Sequence, residues 1–179
     1  MPTARTNFRR WYARVLRPLY VNRDAGIAIA HVAFPLLERY LRQKVGLKST
    51  KPVDERFYDA LMVIYPALGT RDNARIFWTI FRHGLLHEAT LAIQSRSSPR
   101  LPAAGLSHDV PAVAIDSAGS YWLNPVKFTE VLLKTIERDF AIFESGKKTA
   151  APLPQVKSEV FTPAGAIAPG FTVLTTKGS

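Results

Sequence analysis

The stretch RHGLLHE, residues 82–88, packs an arginine, two histidines and a glutamate into the apolar run IFWTIFRHGLLHEATLAI. Three kinds of chemistry fit these residue types. The first is metal binding: His83 and His87 are four residues apart and share one helical face. The zinc-protease order, however, needs a glutamate between the two histidines, and here Glu88 follows them. A third ligand would have to come from His31, His108 or a distant carboxylate, so the reading is no metal and no cofactor. The second is structural: Ile76, Ile80, His83 and His87 recur on one face, where histidines can hydrogen-bond inside a core. The third is phosphodiester cleavage without a metal. A base takes the proton of a ribose 2′-hydroxyl, the oxygen attacks phosphorus, and a cation stabilises the developing charge. Histidine titrates near neutrality and the planar arginine fork matches phosphate oxygens. The candidate catalytic set is therefore Arg82 and His87, with His83 or Glu88 orienting them.

The segment FRHGLLHE resembles the Arg-x4-His form of the HEPN superfamily signature, with Arg82 and His87 at the motif positions. The context LLERYLRQK (36–44) is also similar to that superfamily, particularly to small stand-alone bacterial members, and the resemblance spans residues 24–144. His83 departs from the pattern, which usually carries another polar residue after the arginine. The resemblance implies a small helical bundle working as a homodimer on RNA. It also implies a metal-independent endoribonuclease of toxin or defence type, leaving a 2′,3′-cyclic phosphate and held by an antitoxin-like protein partner. Helical geometry makes the dimer relevant. Five residues at about 100° each leave Arg82 and His87 about 140° apart around a straight helix and about 7.5 Å along it. Either Gly84 loosens the helix, or each histidine faces the arginine of a second copy across a two-fold axis. The alternative function is a non-catalytic HEPN-like dimeric interaction or nucleotide-binding module.

The elements that must position these residues can be read from periodicity. Phe8, Trp11, Tyr12, Val15, Leu16 and Leu19 recur at helical spacing behind Asn7 as a cap. Ile27, Ala30, Phe34, Leu37, Leu41 and Val45 mark a second helix, kinked at Pro35 and ended by Gly46. A third is capped by Ser49 or Thr50 and buries Phe57, Leu61, Ile64 and Leu68. A fourth starts near Thr70 and carries RHGLLHE. QSRSSPRLPAAGLSHD reads as loop, and VPAVAID and SYWLN as a hairpin. Asn124 caps and Pro125 opens a last helix carrying Phe128, Val131, Leu132, Ile136, Phe140 and Phe143. The expected fold is all-α: a bundle of four to five helices with a short β-hairpin inserted before the last helix. Residues 1–20 form a basic amphipathic helix, 21–145 the bundle, and 146–179 a Pro/Ala/Thr-rich tail expected to be disordered.

Composition supports a folded chain with a charged end. Of 179 residues, 47% are hydrophobic and none is cysteine, which excludes a disulfide scaffold and thiolate metal sites. Nothing points to an oxidising compartment, and the expected location is cytoplasmic. The net charge is +10, and residues 1–51 hold 11 Lys and Arg against only Asp24 and Glu38. That block suits a polyanion. Arg9, Arg10, Arg14 and Arg17 are the candidate RNA-backbone contacts, with a membrane-surface role for the first helix as a third class of function. No apolar run is long enough to span a bilayer.

Overall fold

A computed structural model of the chain describes residues 4–84 and 102–144. Among these residues the fold is a helical bundle with a small sheet inserted before the final helices. Helix α1 covers residues 4–16. It consists of Ala4–Phe8, a π turn over Arg9–Ala13 and Arg14–Leu16, and a 3₁₀ turn with Pro18 near its start follows over Arg17–Val21. Helix α2 is Gly26–Val45 and α3 is Glu55–Ile64. Helix α4 covers residues 71–84, as Arg71–Phe77 followed by a π segment Trp78–Gly84. Strands β1 (Ala104–Leu106), β2 (Val113–Ile115) and β3 (Tyr121–Leu123) precede α5 (Pro125–Arg138) and the short α6 (Ala141–Glu144).

Helix α2 lies at the centre, packed against α3 and α5. Its stripe is apolar at the spacing a helix needs, and Phe34 organises the core. The Phe34 ring stacks on Phe128 at 5.0 Å and on Phe81 at 6.3 Å, and meets Phe77 and Trp78 at 6.0 Å. Tyr65 stacks on the other side of this group, 4.5 Å from Phe128, and its hydroxyl donates to the Phe128 carbonyl at 2.9 Å. Aromatic pairs at such separations add to simple area burial.

Turns and caps fix the helix ends. Gly46 closes α2 at φ 68°, where a side chain would be strained, and the amides of Gly46 and Leu47 return to the last carbonyls. Thr70 caps α4 and Asn124 caps α5, both through the amide three residues on. The Asn124 amide also donates to the carbonyls of His108 and Val110, tying the inserted loop to α5. The Arg71 fork grips Asp59 at 2.6 and 2.8 Å and reaches Glu55 at 3.0 Å, which staples α4 to α3.

Several sequence expectations need correction. Asn7 lies inside α1, which begins by Ala4. The third helix is capped by Asp54 rather than Ser49 or Thr50. Arg42 Nη1 donates to the carbonyls of Lys48 and Lys51, holding that stretch as a turn, so regular structure resumes only beyond Pro52. Ile27 is exposed, not part of the α2 stripe, which begins to bury side chains at Ile29 and Ala30. The last helix breaks after Arg138 and restarts at Ala141. The expected hairpin is present as β2 antiparallel to β3, but β1 adds a strand parallel to β3 inside a stretch read as loop. A Cβ at Gly105 in β1 would stand 2.6 Å from the Trp122 ring, so the close approach of β1 to β3 depends on that glycine.

Helix α1 docks on the bundle through one edge of its stripe. Phe8 and Leu16 are buried and Tyr12 half-buried, with Phe8 5.6 Å from Phe140. Trp11 and Val15, expected in the same stripe, remain exposed. The continuation of α4 beyond Gly84 and the tail from residue 145 lie outside the described residues.

Candidate functional site

Two polar regions collect the candidate residues. The first surrounds Arg82. Its Nε donates to Glu38 Oε2 at 2.8 Å, while Arg42 Nε donates to Oε1 of the same carboxylate at 2.9 Å. Glu38 and Arg42 are four apart on α2 and so share a face. Arg82 reaches them from α4. All three side chains are mostly covered, at 20% exposure for Glu38, 12% for Arg42 and 21% for Arg82. Burial alone would push the Glu38 carboxyl up, but the hydrogen bonds and charges of Arg42 and Arg82 hold it below its ordinary value. Both oxygens of Glu38 are thus engaged, and Arg82 is held in a fixed orientation with one fifth of its side chain still accessible.

Arg82 sits in the π segment of α4. Thr79 Oγ1 bonds back to the Arg75 carbonyl at 2.9 Å just before it, a contact that loosens helices. Such i→i+5 turns recur at functional sites, and each holds one residue more than an α turn. The backbone of His83 belongs to this segment. Its side chain, together with His87 and Glu88, lies outside the described residues. Among the described residues no three His, Asp or Glu side chains gather into a metal-ligating set. His31 Nδ1 donates to the Ile27 carbonyl at 2.9 Å, and His108 Nε2 lies 3.3 Å from the Arg23 carbonyl.

The second region is a groove of about 1000 Å³ between α1 with its following turn and the outer face of α5. From the first element come Arg5, Arg9, Arg14 and Arg17; from the second come Lys134 and Arg138. Glu130 and Glu137 are the acidic residues of the lining. Six cations therefore face two carboxylates. The π turn of α1 explains how one short helix contributes so many. The Arg14 amide bonds to the Arg9 carbonyl, an i→i+5 closure that brings residues five apart toward the same side. In a plain α-helix Arg14 would point about 140° away from Arg9.

The groove has a paired half and an open half. Arg9 grips Glu137 through Nε at 3.0 Å and through Nη2, and Arg5 bonds the Glu137 carbonyl at 3.3 Å. Arg138 bonds Asp139, which also accepts from Tyr40 at 2.5 Å and Lys44 at 3.0 Å. The hydrogen bond from Arg138, ahead of those from Tyr40 and Lys44, holds the Asp139 carboxyl far below the ordinary carboxylate range despite the opposing effect of burial. In contrast, Arg14, Arg17, Lys134 and Glu130 have no ion-pair partner within 4 Å among the described residues. Tyr20 lines the same half. Its hydroxyl is shielded from solvent and has no hydrogen-bond partner among the described residues. Leaving such a group unmatched costs about 1–3 kcal/mol. Burial, reinforced by the nearby Glu130 charge and opposed by Arg17, pushes the Tyr20 hydroxyl up to about 12, so it carries its proton at neutral pH.

Of the four candidate backbone-contact arginines, Arg9, Arg14 and Arg17 meet in this groove. Arg10 does not line it and lies over the Trp11 ring at 5.6 Å. The sequence reading missed Arg5, Arg138, Glu137 and Tyr20, as well as Glu38 and Arg42 beside Arg82; it takes Glu130 and Lys134 only as an exposed i,i+4 ion pair, and the two form no ion pair within 4 Å. The spacing of Glu130, Lys134 and Arg138 at every fourth residue, with Glu137 beside them, marks one polar face of α5 and was the available signal. Among the described residues no helix is long and apolar enough to cross a membrane. No family model, no curated protein and no solved structure matches the chain.

Proposed function

We propose that the protein binds RNA, with the groove between α1 and α5 holding the phosphate backbone. The observation that carries this reading is the excess of cations there, six against two carboxylates, with Arg14, Arg17 and Lys134 unpaired among the described residues. Arginine and lysine displayed in this way attract phosphates and release condensed counterions, which makes binding fall with salt. The test is fluorescence anisotropy of a labelled single-stranded RNA with the full-length protein and with the Arg14→Glu, Arg17→Glu double variant. Binding that weakens by at least tenfold on charge reversal supports the reading. Equal binding by the two proteins overturns it, as does binding to phosphatidylserine vesicles with none to RNA.

A second reading is cleavage of the bound RNA in HEPN fashion, with Arg82 as the phosphate-stabilising cation and His87 as general base or acid. The observation favouring it is the Glu38 carboxylate, which holds Arg82 oriented yet partly accessible. The reaction is the attack of a ribose 2′-hydroxyl on the adjacent phosphorus, expelling the 5′-oxygen of the next nucleotide and leaving a 2′,3′-cyclic phosphate. The test is cleavage in EDTA by wild type, Arg82→Ala and His87→Ala, with analysis of product ends. Equal rates in all three sink this reading. In the proposed homodimer, a mixture of the two inactive variants regains part of the activity, because mixed dimers retain one intact pair across the two-fold axis.

A further inference from the structure

The region around Arg82 has exposed cations of its own. Lys48 and Lys51 stand at the two ends of the turn that follows α2, closed by the Lys51 amide donating to the Lys48 carbonyl at 3.1 Å. Arg42 Nη1 donates to the carbonyls of both residues, at 3.1 and 2.8 Å, while its Nε holds Glu38. Arg82 Nε holds the other oxygen of that carboxylate. The turn and Arg82 are therefore separated by one guanidinium and one carboxylate. The fold uses only the backbone of the turn. Both lysine side chains are exposed and have no ion-pair partner within 4 Å among the described residues. Asp54 and Glu55, the acidic residues that follow, are engaged by Arg56 and Arg71. On Arg82, Nε is committed, but Nη1 and Nη2 have no partner among the described residues. Arg42, Arg82, Lys48 and Lys51 thus gather around the single carboxylate of Glu38. Such an excess of cations beside a planar guanidinium fork suits the phosphates of a nucleic-acid strand.

We infer that the turn of residues 48–51, together with Arg82, is a second phosphate-contact surface for a single RNA strand. Lys48 and Lys51 neutralise phosphates, and the accessible part of Arg82 meets the backbone next to them. Arg42 touches no ligand in this arrangement. It is a positioning residue, which holds the turn and Arg82 in place before the strand arrives, so that less order has to be imposed on binding. This rests on the RNA-binding reading and adds to it a contact beside the motif arginine, outside the groove between α1 and α5.

The test joins salt dependence to photocrosslinking of the full-length protein with a single-stranded RNA carrying 4-thiouridine. In the wild type, crosslinked peptides should include residues 48–51 as well as α1. The double variant Lys48→Ala, Lys51→Ala should weaken binding by about tenfold and reduce the salt slope by about 1.4, the value for two phosphate contacts on a single strand. Arg42→Lys keeps the charge but lacks the fork that spans Glu38 and the two carbonyls. It should lose crosslinks at the turn and keep those in α1, a pattern that general unfolding would not produce. Turn crosslinks that persist in Arg42→Lys overturn its positioning role. An unchanged slope in the lysine variant, or crosslinks confined to α1 and α5, overturns the surface; if Arg14→Glu, Arg17→Glu still weakens binding in the same assay, the groove reading stands without it. No RNA binding by the wild type overturns the RNA reading and this surface with it.

Discussion

Arg82 and Arg14 are the same residue type in opposite circumstances. Arg82 is covered, bonded to a carboxylate that a second arginine also holds, and linked through that carboxylate to the central helix. Arg14 stands in an open groove with no ion-pair partner among the described residues. The contrast follows from desolvation. A guanidinium removed from water must find a compensating charge or leave a costly unpaired ion. One that stays wet can remain uncommitted and available to a ligand. In this protein the covered arginine lies in the sequence motif and the uncommitted arginines lie in the terminal basic helix. The covered arginine is therefore tied to the stability of the fold, and the uncommitted groove arginines are the ones free to take part in the proposed binding.

That contrast can be broken experimentally, and the largest effect belongs to the covered side. Glu38→Ala leaves Arg42 and Arg82 without their shared carboxylate and should cost about 3 kcal/mol, the lower end of the range for breaking a buried pair. The urea midpoint reads this directly, and a loss well under 1 kcal/mol would place Glu38 among ordinary surface acids. On the open side, Arg14→Ala with Arg17→Ala should leave stability within about 0.5 kcal/mol of wild type. The same variant should weaken single-stranded RNA binding by about tenfold or more. If it unfolds the protein instead, the division between the two regions fails.

Acid sharpens the comparison further. Glu38 and Asp139 both titrate below their ordinary values of 4.5 and 3.8 in the folded state. The unfolded chain therefore takes up these protons first as pH falls. Their contribution to stability is complete above those ordinary values and is lost progressively as pH drops below them. Urea midpoints for wild type should fall steeply between pH 5 and pH 3, in the range set by those values, and Asp139→Asn should show a shallower fall from a lower start. The smallest effect is expected at Glu137. Glu137→Gln releases Arg9 and should tighten RNA binding about two- to threefold, in line with a single added phosphate contact. Weaker binding would mean that Glu137 positions the arginines rather than competing for them.

Much of the fold was legible because helices bury a face at a fixed period. The stripes Phe57–Leu61–Ile64 and Phe128–Leu132–Ile136 lie in the core as their spacing requires, and Asn124, Pro125 and Gly46 act where their backbone preferences place them. The misses share a physical origin in contacts that sequence distance hides. β1 is built from Ala104, Gly105 and Leu106, which lack β propensity and are held by β3 and the Trp122 ring. The shift of the third helix cap to Asp54 depends on Arg42 gripping the intervening turn. The candidate site divides in the same way. The basic arm was visible as a charge block, but the groove was not, because Arg9 meets Glu137 across 128 residues of chain. Arg82 was singled out by its spacing from His87, whereas its partner Glu38 lies 44 residues earlier and only the fold joins them.

The central claim is that the uncommitted cations of the groove hold an RNA backbone, and salt dependence tests it most directly. Affinity for a single-stranded RNA should fall linearly with salt on logarithmic axes, by about 0.7 in slope for each phosphate neutralised. Removing Arg14, Arg17 and Lys134 together by alanine substitution should therefore reduce the slope by about 2. An unchanged slope in that variant would contradict the account.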